Sequence, residues 1–236
     1  MDITSYLLGK KASGGGGEGA EDYFGSTTNQ PNFSYLIKKL PKAETTSTMI
    51  TGVSGSASLV EIEELSIPNV TTLSNAFNSC SNLEKVKLIT SSALTNINNA
   101  FYGCSKLNEI SLFNTENVTT MEGCFRNCES LVTIPQYNTK KVSTFKRFAY
   151  GCSNLENFPQ LDFSSATDLS EMFVDCRKLT DTSLNNILLS CISATSYTGT
   201  KTLTHLSIYS YMYPVSRIQA LPNYQDFLNA GWTTGY

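Results

Sequence analysis

The chain is poor in charge. Asp, Glu, Lys and Arg make up 16% of its 236 residues, against about 25% in an ordinary soluble domain. A net charge of −3 and a pI near 5.3 exclude tracking along a nucleic-acid backbone, which takes a surplus of Lys and Arg. A single histidine leaves little for a zinc site or a Cys–His pair. No apolar run approaches the roughly 18 residues that cross a bilayer, so membrane insertion is not expected. The opening MDITSYLLGK has no basic start and no small-x-small cleavage site, so an export signal is not expected. There is no G-x-S-x-G, P-loop, H-E-x-x-H or C-x-x-C motif. No pair of carboxylates is singled out for glycoside hydrolysis. The expectation is a protein that is not an enzyme and takes no cofactor or metal.

What fills the space is 29 Ser, 27 Thr and 20 Asn, together with seven cysteines. Five of these cysteines, Cys80, Cys104, Cys128, Cys152 and Cys176, follow one another at intervals of 24 residues. Other columns share that phase. Three residues before each cysteine stand Phe77, Phe101, Phe125, Ala149 and Phe173; three after it stand Leu83, Leu107, Leu131, Leu155 and Leu179. Val86, Ile110, Ile134 and Phe158 lie six after, and Ile89, Phe113, Tyr137 and Leu161 lie nine after.

A 24-residue unit is too small to close a core alone, but it can bury one apolar face against copies of itself. The expected fold is a repeat solenoid, α/β to mainly β: a leucine-rich-repeat-like right-handed stack of about five units. Short parallel strands are expected around Lys85–Ile89 and Glu109–Phe113, with the +3, +6 and +9 columns facing inward. Pro135 and Pro159 shorten the later strands by removing a ladder donor. The Asn117–Met121 stretch is expected to turn the chain into a helical or 3₁₀ segment carrying the Phe and Cys columns. The thiol column is expected to be buried, reduced and structural, because five inward rungs cannot pair off.

The chain divides into a peptide at 1–12, a Gly-rich linker and polar connection at 13–35, an N-terminal cap at 36–65, repeats at 66–183 and a helical C-terminal cap at 184–236. Ile3, Tyr6, Leu7 and Leu8 share one side of a short helix. The tract Ser13–Gly19 after it is a flexible tether, which suits docking to a larger assembly. Lys85, Lys87, Glu109, Ser111, Thr133, Gln136, Asn157 and Gln160 are expected to project beside the strands. Such a row could hydrogen-bond a glycan or peptide.

Three phrases, Asn117-Val118-Thr119-Thr120-Met121, Phe101-Tyr102-Gly103-Cys104-Ser105-Lys106-Leu107 and Ile134-Pro135-Gln136-Tyr137-Asn138-Thr139, resemble the BspA-type leucine-rich repeats. These occur in bacterial surface proteins, mycoplasma lipoproteins and phage proteins. The resemblance covers about residues 59–183. The opening MDITSYLLGKKA and the ending AGWTTGY are similar to the ends of phage and prophage proteins. The resemblance implies binding to a host-surface glycan or protein without catalysis. Its phage branch implies a virion location, with other virion proteins as partners of the N-terminal peptide. A decoration protein of a capsid or tail, and a bacterial surface adhesin, are the alternative readings.

Overall fold

The computed structural model describes residue 50 and residues 53–235, together with the backbone of two short strands at 39–40 and 43–44. Residues Ile3, Tyr6, Leu7 and Leu8 and the Gly-rich linker lie outside the described residues.

Strands β1 (Lys39–Leu40), β2 (Ala43–Glu44), β3 (Glu61–Ile67), β4 (Lys85–Thr90) and β5 (Glu109–Ile110) form one parallel sheet, ordered β1-β3-β4-β5 with β2 also on β3. Its register carries the spacing: Glu61 pairs with Lys85 and Lys85 with Glu109. Beyond β5 one isolated bridge, Thr133 to Asn157, continues the row. The spacing also runs further toward the N-terminus than residue 66. Val53, Gly55 and Leu59 stand 24 residues before Phe77, Ser79 and Leu83, and the Gly55 N–H donates to the Asn78 carbonyl at 2.7 Å.

The +3 and +6 columns are buried throughout. The +9 column is not. Ile89 is 46% exposed, while Leu88 beside it is buried, which corrects the inward assignment of Ile89. The cause is that β4 is a true strand, so its side chains alternate and Val86 and Leu88 share the inner face. In the next unit the strand stops at Ile110. The Ser111 hydroxyl there accepts the Leu88 N–H at 3.1 Å, and the chain leaves the pleat so that Phe113 points in and Leu112 out.

The segment carrying the Phe and Cys columns is neither α-helical nor 3₁₀, contrary to the expectation. Its N–H groups alternate between two partners. Leu73, Asn75, Phe77 and Ser79 each donate to a carbonyl of the next unit, at 2.6–2.9 Å, while Ala76, Asn78 and Cys80 donate to the carbonyl three residues back. The later units repeat this pattern. A left-handed residue every fourth position prevents the turns from winding into a helix. Asn75, Asn99, Gly123, Arg147 and Glu171 stand five before each cysteine, and Ser79, Gly103, Asn127, Gly151 and Asp175 one before; all have φ between 50° and 75°. Gly, and to a lesser degree Asn and Asp, suit that conformation. Ser79, Arg147 and Glu171 do not, and a left-handed backbone costs such residues about 1 kcal/mol or more each. Arg147 and Glu171 are neighbours in successive units. Across the units they hold one another, Arg147 Nε and Nη2 donating to the Glu171 carboxylate at 2.9 and 3.3 Å. That hydrogen bonding raises the Arg147 pKa and lowers that of Glu171.

Much of the Ser, Thr and Asn excess stitches units together. The hydroxyls of Thr95, Thr119, Ser143 and Thr167 each donate to the backbone carbonyl 24 residues earlier. The side-chain oxygens of Thr72, Asn96, Thr144 and Asp168 each accept the N–H two residues on, capping the turn segment.

Both walls of the last unit are closed by the C-terminal residues. Helix α1 (Asp181–Ser193) is capped by Thr180, whose hydroxyl accepts the Ser183 N–H. It buries Leu184, Ile187, Leu188 and Cys191. The hydroxyls of Ser183, Ser190 and Ser193 accept the N–H groups of Phe158, Leu161 and Phe163 at 2.8, 2.9 and 2.8 Å. A helix thereby satisfies donors that the preceding units give to strands or turns. On the other wall, Glu171 and Phe173 donate to the carbonyls of His205 and Leu206. Short helices α2 (Val215–Gln219) and α3 (Tyr224–Asn229) follow. Trp232 is buried between Tyr197 and Phe227, at ring-centroid distances of 5.5 and 6.0 Å.

Candidate functional site

The eight row residues do not form one free binding face. Lys85 pairs with Glu109 at 3.2 Å, and Lys87 with Glu64 at 2.5 Å. Ser111 is engaged by Leu88, and Asn157 Nδ2 donates to the Thr133 hydroxyl at 3.2 Å. These contacts join neighbouring units, the Lys85–Glu109 pair being exposed and therefore weak. Gln136 joins neighbouring units in the same way, its Nε2 donating to the Gln160 backbone carbonyl at 2.5 Å, and Gln160 is exposed.

These two glutamines line a shallow open groove of about 670 Å³. It is lined by Gln136–Thr139, by Gln160–Asp162 and Ser164, and by Ser193 and Thr195 at the end of α1. Hydrogen bonds tie the first two segments together. The Thr139 hydroxyl donates to the Asp162 carbonyl at 2.9 Å and accepts the Asp162 N–H at 2.8 Å. Asp162 Oδ1 accepts the Ser164 N–H at 2.8 Å, and Asn138 Oδ1 accepts the Lys140 N–H. Tyr137 and Leu161, which also line the groove, are buried. Burial also pushes the Tyr137 hydroxyl pKa well up.

Asp162 is the one carboxylate in the groove's lining, which holds no Lys or Arg, and α1 ends there with no basic residue in its last turn. Asn138, Asp162, Ser164, Ser193 and Thr195 were not singled out by sequence reasoning. The Asn114, Asn138, Asp162 column, ten after each cysteine, was a visible turn signal. The junction with α1 had none.

The thiol column sits elsewhere, in the core. All seven cysteines are buried and free. Each column thiol donates to the backbone carbonyl 27 residues earlier: Cys80 to Val53, Cys104 to Phe77, Cys128 to Phe101, Cys152 to Phe125 and Cys176 to Ala149, at 3.0–3.1 Å. Burial raises their pKa values, to about 11 for Cys80 and about 12 for Cys152. Thiols held neutral and away from solvent are structural groups, not nucleophiles.

Among the described residues no group of three or more His, Cys, Asp or Glu side chains is placed to hold a metal ion. No helix there is long and apolar enough to cross a membrane. The sequence model of one protein family, described as "Mycoplasma protein of unknown function, DUF285", matches residues 71–187. No curated protein and no solved structure matches the chain.

Proposed function

We propose, from a repeat region similar to a mycoplasma family of unknown function over residues 71–187, that this chain is a non-enzymatic binding protein. In this reading it is a right-handed, leucine-rich-repeat-like solenoid whose 24-residue units build a display surface. The single observation that carries the reading is the groove at the junction of the last strand-like rows with α1. It is a polar concavity with one carboxylate, whereas glycoside hydrolysis takes two flanking the scissile bond. The arrangement suits recognition rather than turnover.

The finer placement is in a phage virion, attached through the N-terminal segment and displaying the repeats toward a host-surface glycan or protein. It is supported by the resemblance of the chain's two ends to phage proteins. A capsid or tail decoration protein is the second reading, favoured by the internal pairing of seven of the eight row side chains.

Display of the fluorescently labelled full chain to intact bacteria of several surface types tests the binding reading. Saturable binding to some of them, competed by unlabelled protein, is the expected outcome. Uniform absence of binding favours the decoration protein. The virion placement is tested separately, by whether the chain copurifies with phage particles and is lost from them on deletion of residues 1–12.

A further inference from the structure

We propose that the groove between Gln136–Thr139, Gln160–Ser164 and the end of α1 is a binding site for an uncharged glycan. The inference rests on the binding-protein reading and adds the class of ligand and the place where it sits.

Three properties of the groove select that chemistry. Its polar lining side chains are amides, hydroxyls and one carboxylate: Gln136, Asn138 and Gln160, Thr139, Ser164, Ser193 and Thr195, and Asp162. Mixed donors and acceptors at short spacing match the vicinal hydroxyls of a sugar ring, each of which gives and takes a hydrogen bond. The carboxylate is a strong acceptor for a hydroxyl pair.

The second property is charge. Asp162 is the one carboxylate of the lining, and no Lys or Arg lines the groove. Sialylated, sulfated, uronic-acid and phosphate-bearing ligands therefore find no cationic partner in the lining and meet a carboxylate there.

Third, the groove lacks what a peptide uses. Strand addition needs unpaired backbone donors at the edge. Here the N–H groups of Leu161, Asp162 and Phe163 are already taken by Ser190, Thr139 and Ser193. Side-chain anchoring needs an open apolar pocket, and the apolar residues of the lining, Tyr137 and Leu161, are buried at 2% and 1% exposure. What remains is a shallow, prepaid hydrogen-bonding surface, already held in shape by its own turns.

Binding of the full chain to an immobilised panel of neutral oligosaccharides built on glucose, galactose, mannose and N-acetylglucosamine, with sialylated and sulfated counterparts and random peptides alongside, tests this. The expected result is selective retention on one or more neutral members. The Q160A/T195A double variant alters two side chains at the groove's rim and should weaken that binding at least tenfold with an unchanged melting temperature. D162N keeps the turn-capping oxygen, and should weaken neutral binding while lessening the exclusion of anionic members. The proposal is overturned by preference for anionic members, by retention on peptides alone, or by neutral-glycan binding that Q160A/T195A leaves intact. In each of those cases the binding-protein reading survives. If neither the panel nor intact cells retain the chain, both readings fail.

Discussion

Alkali is expected to unfold this protein abruptly near pH 10. All seven thiols have pKa values raised by burial. In the unfolded chain they ionise near their ordinary value of 9.0. Below that pH the thiol is neutral in both states and the stability is fully present. Above it the unfolded chain releases protons that the folded chain retains, so stability falls as pH rises toward the folded values. Each thiol then costs about 1.4 kcal/mol per pH unit. Seven acting together remove most of an ordinary domain's total stability of about 5–15 kcal/mol within one to two pH units. Thiol labelling by short pulses of iodoacetamide and circular dichroism measured on the same samples should change together, in one steep step as pH rises. At pH 8 the native thiols should resist Ellman's reagent, and all seven should react once guanidinium is added. Thiolates that appear one by one from pH 8 upward while the fold persists would show that the column is open to solvent.

The second large effect concerns the aromatic stack. Phe77, Phe101 and Phe125 stack face to face, with centroids 5.3 and 5.7 Å apart and planes 6° and 7° from parallel. The following unit breaks the column with Ala149. The volume is restored by its neighbour: units read Ala76-Phe77, Ala100-Phe101 and Cys124-Phe125, but then Phe148-Ala149. Phe148 meets Phe125 edge-on at 5.4 Å, and meets Phe145 at 5.8 Å. A149F adds a ring where Phe148 already sits, and overpacking of this kind costs about 1–3 kcal/mol. F148A opens a cavity in a fully buried site, at about 3–5 kcal/mol. The double variant F148A/A149F returns this unit to the order of its neighbours. Urea denaturation of the four proteins should place the double variant at least about 2 kcal/mol above the sum of the single losses. Additive losses would mean that the two positions do not share one space.

Residue spacing made the long-range contacts legible, and local backbone chemistry hid the rest. Positions 24 apart in the sequence pair in the sheet, and the columns Leu83–Leu179 and Cys80–Cys176 lie inside. That follows because each unit packs mainly against its sequence neighbours, so a period in the sequence is a contact in space. The Ile89–Leu88 exchange was not legible, since both residues are apolar and only the length of β4 decides between them. The turn segment reads as helical in the sequence because its apolar spacing of three to four resembles a helix. Its Gly, Asn and Asp positions carry the contrary signal, which Ser79, Arg147 and Glu171 obscure. Within the groove, Gln136 and Gln160 were legible as strand-row residues. Asn138, Asp162 and Ser164 were visible as turn formers only. Ser193 and Thr195 reach the groove through the docking of α1, a tertiary event that the repeat period does not encode.

Removal of one whole unit tests the 24-residue construction most directly. Deleting residues 92–115 joins Ser91 to Glu116 and keeps every column in phase, so that Phe77 meets Phe125 and Cys80 takes its place beneath Cys128. Deleting residues 92–103 removes half as much chain but puts all later columns out of phase. If the unit is the element of construction, the 24-residue deletion is less stable than the parent yet unfolds cooperatively and keeps its thiols shielded from Ellman's reagent, whereas the 12-residue deletion exposes them. A 24-residue deletion that exposes its thiols as fully as the 12-residue one would contradict it.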